Sequence, residues 1–165
     1  MEKGINSYIK SWFGMERVDV ATYSPLTLAY IGDEIYDLII RTVVVGRGNT
    51  KPANLHYAAS QLVRAHAQSQ MMRTIEPMLT QKEADIYRRG RNAKSVTMAK
   101  NATMSDYRRA TGFEALMGYL YLKDELSRIL ELVKAGLDRY DEKTGKNREI
   151  EAQDEQTDGG EFDGA

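Results

Sequence analysis

Residues 24–46, SPLTLAYIGDEIYDLIIRTVVVG, decide the fold class. Ser24 followed by Pro25 is a helix start, because the hydroxyl caps a free backbone N–H and the fixed φ of proline suits the first helical position. The helix is expected to run to about Val45 and to end near Gly46 or Gly48. At about 100° per residue, Leu28, Ile31, Ile35, Leu38, Ile39 and Thr42 fall on one wide face, which is expected to pack on a core. Asp33 lies almost opposite, among Leu26, Ala29, Tyr36 and Ile40, with Asp37 one turn further on. The helix is therefore expected to be buried on two sides, with a carboxylate on one of them. An unpaired buried charge is costly, so Asp33 calls for an arginine, a backbone group to cap, or a metal ion. Gly32 beside it costs about 1 kcal/mol relative to alanine in a helix interior. Such a glycine implies close approach of another backbone, side chain or ligand.

The remaining pattern is helical as well, with no sustained apolar–polar alternation of the strand type. A short amphipathic segment covers Ile5 to Phe13. A helix is expected from about Pro52 to Ile75. Thr80-Gln81-Lys82-Glu83 reads as a capping box that opens a short helix to about Arg89. Residues 90–103 read as a loop, and two further helices span roughly Met104 to Leu122 and Asp124 to Tyr140. The expected organisation is an N-terminal extension over 1–20, one all-α domain over 21–140, and an acidic, disordered tail over 141–165. Residues 1–140 carry 20 Lys and Arg against 15 Asp and Glu, whereas 141–165 carry 3 against 9. A basic body thus bears an acidic tail, which the whole-chain charge of −1 conceals.

Several function classes are excluded. The chain has no cysteine, which removes disulfides and thiolate metal sites and fits a reducing cytoplasm. The N-terminus lacks an apolar run of the secretory kind, and the stretch Ile35 to Val45 is too short and too polar to span a membrane. His56 and His66 lack the spacing of paired ligands and read as surface or packing residues. No Gly-rich nucleotide loop or nucleophile elbow is present.

A second acid stands out at Glu114. It is the only charge in the segment Thr111 to Leu122, which is apolar nearly all round and so expected to be a central helix. Ala110 and Gly118 lie one turn to either side, with Tyr107 and Tyr121 alongside, and leave room for a group to approach. Two central helices that each carry one isolated acid beside a glycine suggest either a shared site or two separate structural ion pairs. Facing carboxylates repel unless a proton or cation lies between them, and an all-oxygen donor set suits a hard cation. Residues 86–109, IYRRGRNAKSVTMAKNATMSDYRR, hold seven Lys and Arg and one acid. That strip is either a solvated basic face or a phosphate-binding surface that does not read bases.

With these residues laid out, the chain resembles a known family. Leu28-Ala29-Tyr30-Ile31-Gly32-Asp33-Glu34-Ile35-Tyr36 is similar to the signature helix of ribonuclease III, and Phe113-Glu114-Ala115-Leu116-Met117-Gly118 to the second motif of that family. Lys51-Pro52-Ala53-Asn54-Leu55-His56 and Arg89-Gly90-Arg91-Asn92-Ala93-Lys94-Ser95 resemble the mini-ribonuclease III subfamily. The resemblance covers about residues 20–138. It implies an all-α endonuclease domain that acts as a homodimer on double-stranded RNA, uses Mg²⁺ (with Mn²⁺ able to substitute), and leaves 5′-phosphate and 3′-hydroxyl ends. The double-stranded-RNA-binding domain of longer relatives is expected to be absent. For this subfamily the implied substrate is the precursor of large-subunit ribosomal RNA, with a ribosomal protein as a conceivable helper.

The resemblance implies catalytic and metal-binding roles for Asp33 and Glu114, and RNA phosphate contacts for Arg88, Arg89, Arg91, Asn92, Lys94 and Ser95. Two departures accompany it. Longer relatives carry Glu one turn before the signature Asp, where this chain has Ala29, and Asp three residues before the second-motif Glu, where it has Thr111. Asp37, Glu34 and Asp106 are the acids nearest in sequence that could contribute. A second reading follows from those absences, a double-stranded-RNA-binding dimer without catalysis.

Overall fold

The computed structural model describes residues 4–94 and 103–157, with side chains as far as residue 145. Among them the architecture is all-α, without strands. The helices are α1 (Ile5–Trp12), α2 (Pro25–Gly46), α3 (Pro52–Val63), α4 (Ala65–Ile75), α5 (Gln81–Asn92), α6 (Met104–Leu122) and α7 (Leu126–Thr157). None of them is long and apolar enough to cross a membrane.

The expected helix starts are present with their chemistry. The Ser24 hydroxyl accepts from the Thr27 N–H at 3.2 Å, with Pro25 in the first turn. Thr80 and Glu83 close a reciprocal capping box. The Thr103 hydroxyl accepts from the Asp106 N–H at 3.0 Å and opens α6.

Three boundaries differ from expectation. The span from Pro52 to Ile75 is two helices, because Arg64 adopts extended geometry at φ −64° and ψ 153°. The break frees the Val63 carbonyl, which accepts from Gln68 Nε2 at 2.8 Å. Helix α5 continues through Asn92, so the expected loop over 90–103 begins later, and residues 95–102 lie outside the described residues. Helix α7 does not stop at Tyr140 but continues to Thr157. The expectation of disorder from residue 141 is therefore corrected as far as 157, and 158–165 lie outside the described residues. Loss of apolar residues ends a core but not a helix: Glu, Lys, Arg and Gln are good helix formers, and pairs such as Arg139–Glu142 support the exposed turns.

Helix α6 is the centre, packed against α2, α4 and α5. Tyr36 of α2 and Phe113 of α6 meet edge to face in the core, with ring centroids 5.0 Å apart. The fully buried Tyr36 hydroxyl donates to the Leu62 carbonyl at 2.6 Å and ties α3 to this pair. Helix α1 is tethered to the end of α6 by Asn6, its one buried residue, which donates to the Leu122 carbonyl.

Of the two faces of α2 expected to be buried, one is buried and the other only partly. The buried residues are Leu28, Ala29, Gly32, Tyr36, Ile40 and Val44, which is the side on which Asp33 sits. The Leu/Ile stripe expected to face the core is only half-buried at Ile31, Ile35 and Ile39, and Leu38 is 53% exposed. Close packing decided this. Small residues let another helix approach, so the Ala29–Gly32 side took the tight contact and the bulkier stripe was left outward.

Candidate active site

The tight contact is the crossing of α2 and α6. A methyl group placed on Gly32 would overlap the Glu114 carbonyl oxygen and lie 2.6 Å from the Gly118 nitrogen. One placed on Gly118 would overlap the Leu28 carbonyl oxygen. The two backbones therefore touch where only glycine fits. Asp33 follows Gly32 directly, and Glu114 lies one turn before Gly118, so the crossing brings both carboxylates to one place. The close approach inferred from the two glycines is their approach to each other.

Both acids line a cavity of about 230 Å³. Ala29, Tyr30 and Glu34 of α2 form one wall with Asp33, and Tyr107 and Thr111 of α6 form the other with Glu114. Asp33 is not sequestered as expected; it stands exposed at the mouth. Glu114 lies deeper. Partial burial pushes the Asp33 carboxyl above its usual range, and the charges of Glu34 and Asp37 push it the same way. Burial, and then the Asp33 charge, push Glu114 up to about 8. The two side chains lie within hydrogen-bonding reach of each other, an interaction that raises Glu114 and lowers Asp33, so the proton of the pair resides on Glu114. Shared carboxylates behave in this way when no cation lies between them.

The donor set suits a hard divalent cation: two carboxylates converge, with a third, Glu34, on the wall. Among the described residues, however, no group of three or more His, Cys, Asp and Glu side chains is assembled to hold a metal. The other acids weighed in the sequence are engaged elsewhere. Asp37 pairs with Arg41 at 2.8 Å, and Asp106 pairs with His66 at 3.0 Å. Burial raises the Asp106 carboxyl, but the hydrogen bonds from His66 and Thr103 outweigh it and leave the group below the usual range.

The basic residues of α5 lie close by. A methyl group on Gly90 would meet the Gly112 Cα at 2.8 Å and the Thr111 carbonyl at 3.2 Å, so the C-terminal end of α5 adjoins the wall that Thr111 gives the cavity. Arg88 is exposed and paired with Asp85 at 3.0 Å. Arg89 is exposed and reaches toward the Tyr23 carbonyl. The half-buried Arg91 lies over the Tyr87 ring, 5.5 Å from its centroid. Asn92 and Lys94 are exposed; Ser95 lies outside the described residues.

Sequence reasoning missed Tyr30 and Gln68. Tyr30 looks like any exposed aromatic, and only the position of α6 makes it part of the wall. Gln68 is fully buried on α4 within reach of Glu114; in a helix of mixed polar residues, no spacing signal singles out one glutamine.

Comparison with known proteins agrees with this geometry. Residues 26–125 match the family model of the ribonuclease III domain. A mini-ribonuclease 3 from Clostridium tetani is 45% identical over 125 residues, which cover 75% of this chain and 83% of that protein. One from Enterococcus faecalis is 49% identical over 117 residues, covering 70% and 89%. One from Thermoanaerobacter sp. is 39% identical over 142 residues, covering 86% of this chain and all of that one. The crystal structure of a Fusobacterium nucleatum protein superimposes with a TM-score of 0.67 at 30% identity, over 74% of this chain and 98% of the other. The match of residues 26–125 to the family model, with relatives 39–49% identical over most of their own length, establishes the family: the chain belongs to the ribonuclease III family of endoribonucleases.

Proposed function

We propose that the chain is a Mg²⁺-dependent endoribonuclease that cuts double-stranded RNA as a homodimer, leaves 5′-phosphate and 3′-hydroxyl ends, and matures the large-subunit ribosomal RNA precursor in the cytoplasm. The observation that carries this reading is the convergence of Asp33 and Glu114 in one open cavity beside a basic helix end. Asp33, at the mouth, and Glu114, behind it, would hold the cation, and Mn²⁺ would substitute because it shares the preference for oxygen donors. When bound, such a cation acidifies water and neutralises charge on a phosphate. Ala29 and Thr111 line the cavity without adding charge, so water and the substrate fill most of the coordination shell, and one cation per cavity suffices.

Arg89, Arg91, Asn92 and Lys94 hold RNA phosphates next to the cavity, with Arg88 and Ser95 contributing to the same strip. Their long donors grip backbone charge and read no base edge. The outward stripe of α2, where Leu38 and Val45 are 53% and 61% exposed, supports a second copy of the chain as its cover. Preference for ribosomal RNA is what the resemblance of Lys51–His56 and Arg89–Ser95 to the mini-ribonuclease III subfamily implies, and a ribosomal protein that shapes the RNA is the proposed helper. The N-terminal extension over 1–20 and the acidic region from 141 flank the catalytic domain over 21–140.

The test is cleavage of a long RNA duplex with and without Mg²⁺. Asp33→Asn should abolish the Mg²⁺-dependent product while leaving the far-ultraviolet spectrum and solution mass unchanged. Full activity in that variant would overturn the assignment.

A further inference from the structure

Gln68 is 1% exposed and sits on α4 against α6. Its Nε2 donates to the Val63 carbonyl at 2.8 Å, across the break between α3 and α4. That bond anchors one end of the amide. Among the described residues, the Oε1 at the other end has no hydrogen-bond partner. A buried amide oxygen left unpaired costs about 1–3 kcal/mol, so its surroundings matter. Of its two ends, the N–H end is the one that acts on the Glu114 carboxyl across the α4–α6 contact, favouring the ionised form. A primary amide suits such a neighbour in either protonation state: Oε1 accepts from a carboxylic acid, and the second Nε2 proton donates to a carboxylate.

We propose that Gln68 is a positioning residue for Glu114. Anchored on the Val63 carbonyl, its amide fixes the orientation of the Glu114 carboxyl toward Asp33 from the α4 side, and so sets how tightly the cavity takes a divalent cation. The amide does not touch the cation. Groups that orient a metal ligand in this way typically change metal affinity about 10–100-fold when removed.

The inference rests on the cation-binding reading of the cavity, and the experiment separates the two. Mn²⁺ is titrated into the intact protein and free Mn²⁺ is followed by electron paramagnetic resonance, for wild type, Gln68→Met, Glu114→Gln and the double variant. Thermal melts of all four are recorded without metal. Gln68→Met is expected to weaken Mn²⁺ binding by at least about tenfold. Glu114→Gln leaves Asp33 as the one carboxylate ligand and binds Mn²⁺ weakly; in that background, at millimolar Mn²⁺, Gln68→Met should change the residual affinity by less than about twofold, since its effect passes through Glu114, and an undiminished tenfold loss there overturns the inference. If Gln68 serves only the α3–α4 break, Gln68→Met will lower the melting temperature and leave Mn²⁺ affinity within about twofold of wild type; that result overturns the inference alone. Wild-type protein that binds no Mn²⁺ overturns both readings. Should Gln68→Met not fold, Gln68→Asn, which keeps the amide but withdraws it by one methylene, carries the same expectation and the same refutation.

Discussion

Replacing Glu114 by glutamine should stabilise the metal-free protein at alkaline pH while sharply weakening its binding of a cation. Glu114 has an ordinary carboxylate value of 4.5 when unfolded and about 8 in the fold. Below pH 4.5 the group is protonated in both states and contributes no difference. Between 4.5 and 8 the folded protein keeps the proton and the unfolded chain releases it, so stability falls as pH rises. Each unit corresponds to about 1.4 kcal/mol, which gives a loss of roughly 3–5 kcal/mol once the folded group ionises. Glutamine cannot ionise and escapes that loss. For a chain of this size 1 kcal/mol shifts the melting temperature by about 2–4 °C, so in chelator the advantage of Glu114→Gln should grow by on the order of 10 °C between pH 5 and pH 9. Thermal melts followed by circular dichroism measure it. Excess Mn²⁺ at pH 8 should reverse the order, because ligand binding stabilises only the protein that binds. A difference between the two proteins that stays constant from pH 5 to pH 9 would refute the reasoning.

Gly32→Ala should cost more than about 3 kcal/mol, since the added methyl lies 2.6 Å from the Gly118 nitrogen and 2.7 Å from the Glu114 carbonyl carbon; urea denaturation checks it, and a variant as stable as wild type would contradict the crossing. Arg128→Ala strands the buried Glu83, whose carboxylate accepts from Arg128 at 2.9 and 3.0 Å and is held below its usual range chiefly by that contact. The expected loss is about 2–3 kcal/mol at neutral pH, and it should shrink as pH falls below 4.5 and the stabilisation is lost from wild type too. Arg89→Ala with Lys94→Ala should weaken binding to RNA duplexes of different sequence equally and reduce the salt slope by about 1 per lost phosphate contact, read by filter binding across a salt series; unequal losses would mean that bases are read. Leu38→Asp should halve the mass measured by light scattering without unfolding the chain, and an unchanged mass would remove α2 from the proposed dimer face.

What the sequence made legible, and what it did not, separates by the range of the interaction. Ser24-Pro25 and the Thr80–Glu83 box are local signals, and each opens a helix where expected. Asp33 and Glu114 stand out in the sequence as acids on largely apolar helix faces with glycine nearby, a pattern that fits one shared site or two separate ion pairs; the α2–α6 crossing brings them to one cavity. The Leu28–Thr42 stripe was expected to face the core because apolar periodicity ranks side chains by size, yet of that stripe only Leu28 is fully buried. Packing against a second helix instead rewards small residues, and the Ala29–Gly32 side takes it. The break at Arg64 was missed for a related reason. The segment has no Gly or Pro there, and the freed Val63 carbonyl is satisfied by Gln68, four residues into the next helix. The end of α7 was misjudged because low hydrophobicity was taken for low helicity.

The same crossing explains why the charge pair is hard to separate from the fold. Gly32 and Gly118 lower the intrinsic stability of their helices, but they let α2 and α6 touch backbone to backbone, and that contact fixes the Asp33–Glu114 separation more firmly than any side-chain rotamer could. A larger residue at either glycine would relieve the repulsion by moving the helices apart, and would disperse the two carboxylates as it did so. The fold therefore holds like charges together in the metal-free state at a cost in stability that rises with pH, and a proton on Glu114 is its provisional remedy. The proposed divalent cation would be held by the same two carboxylates in place of that proton, and would supply the charge that offsets their repulsion. The part of the Glu114 elevation that Asp33 adds to the larger effect of burial, and the proposed affinity for Mg²⁺, are thus two consequences of one geometric constraint, and a substitution that spreads the helices should lessen both.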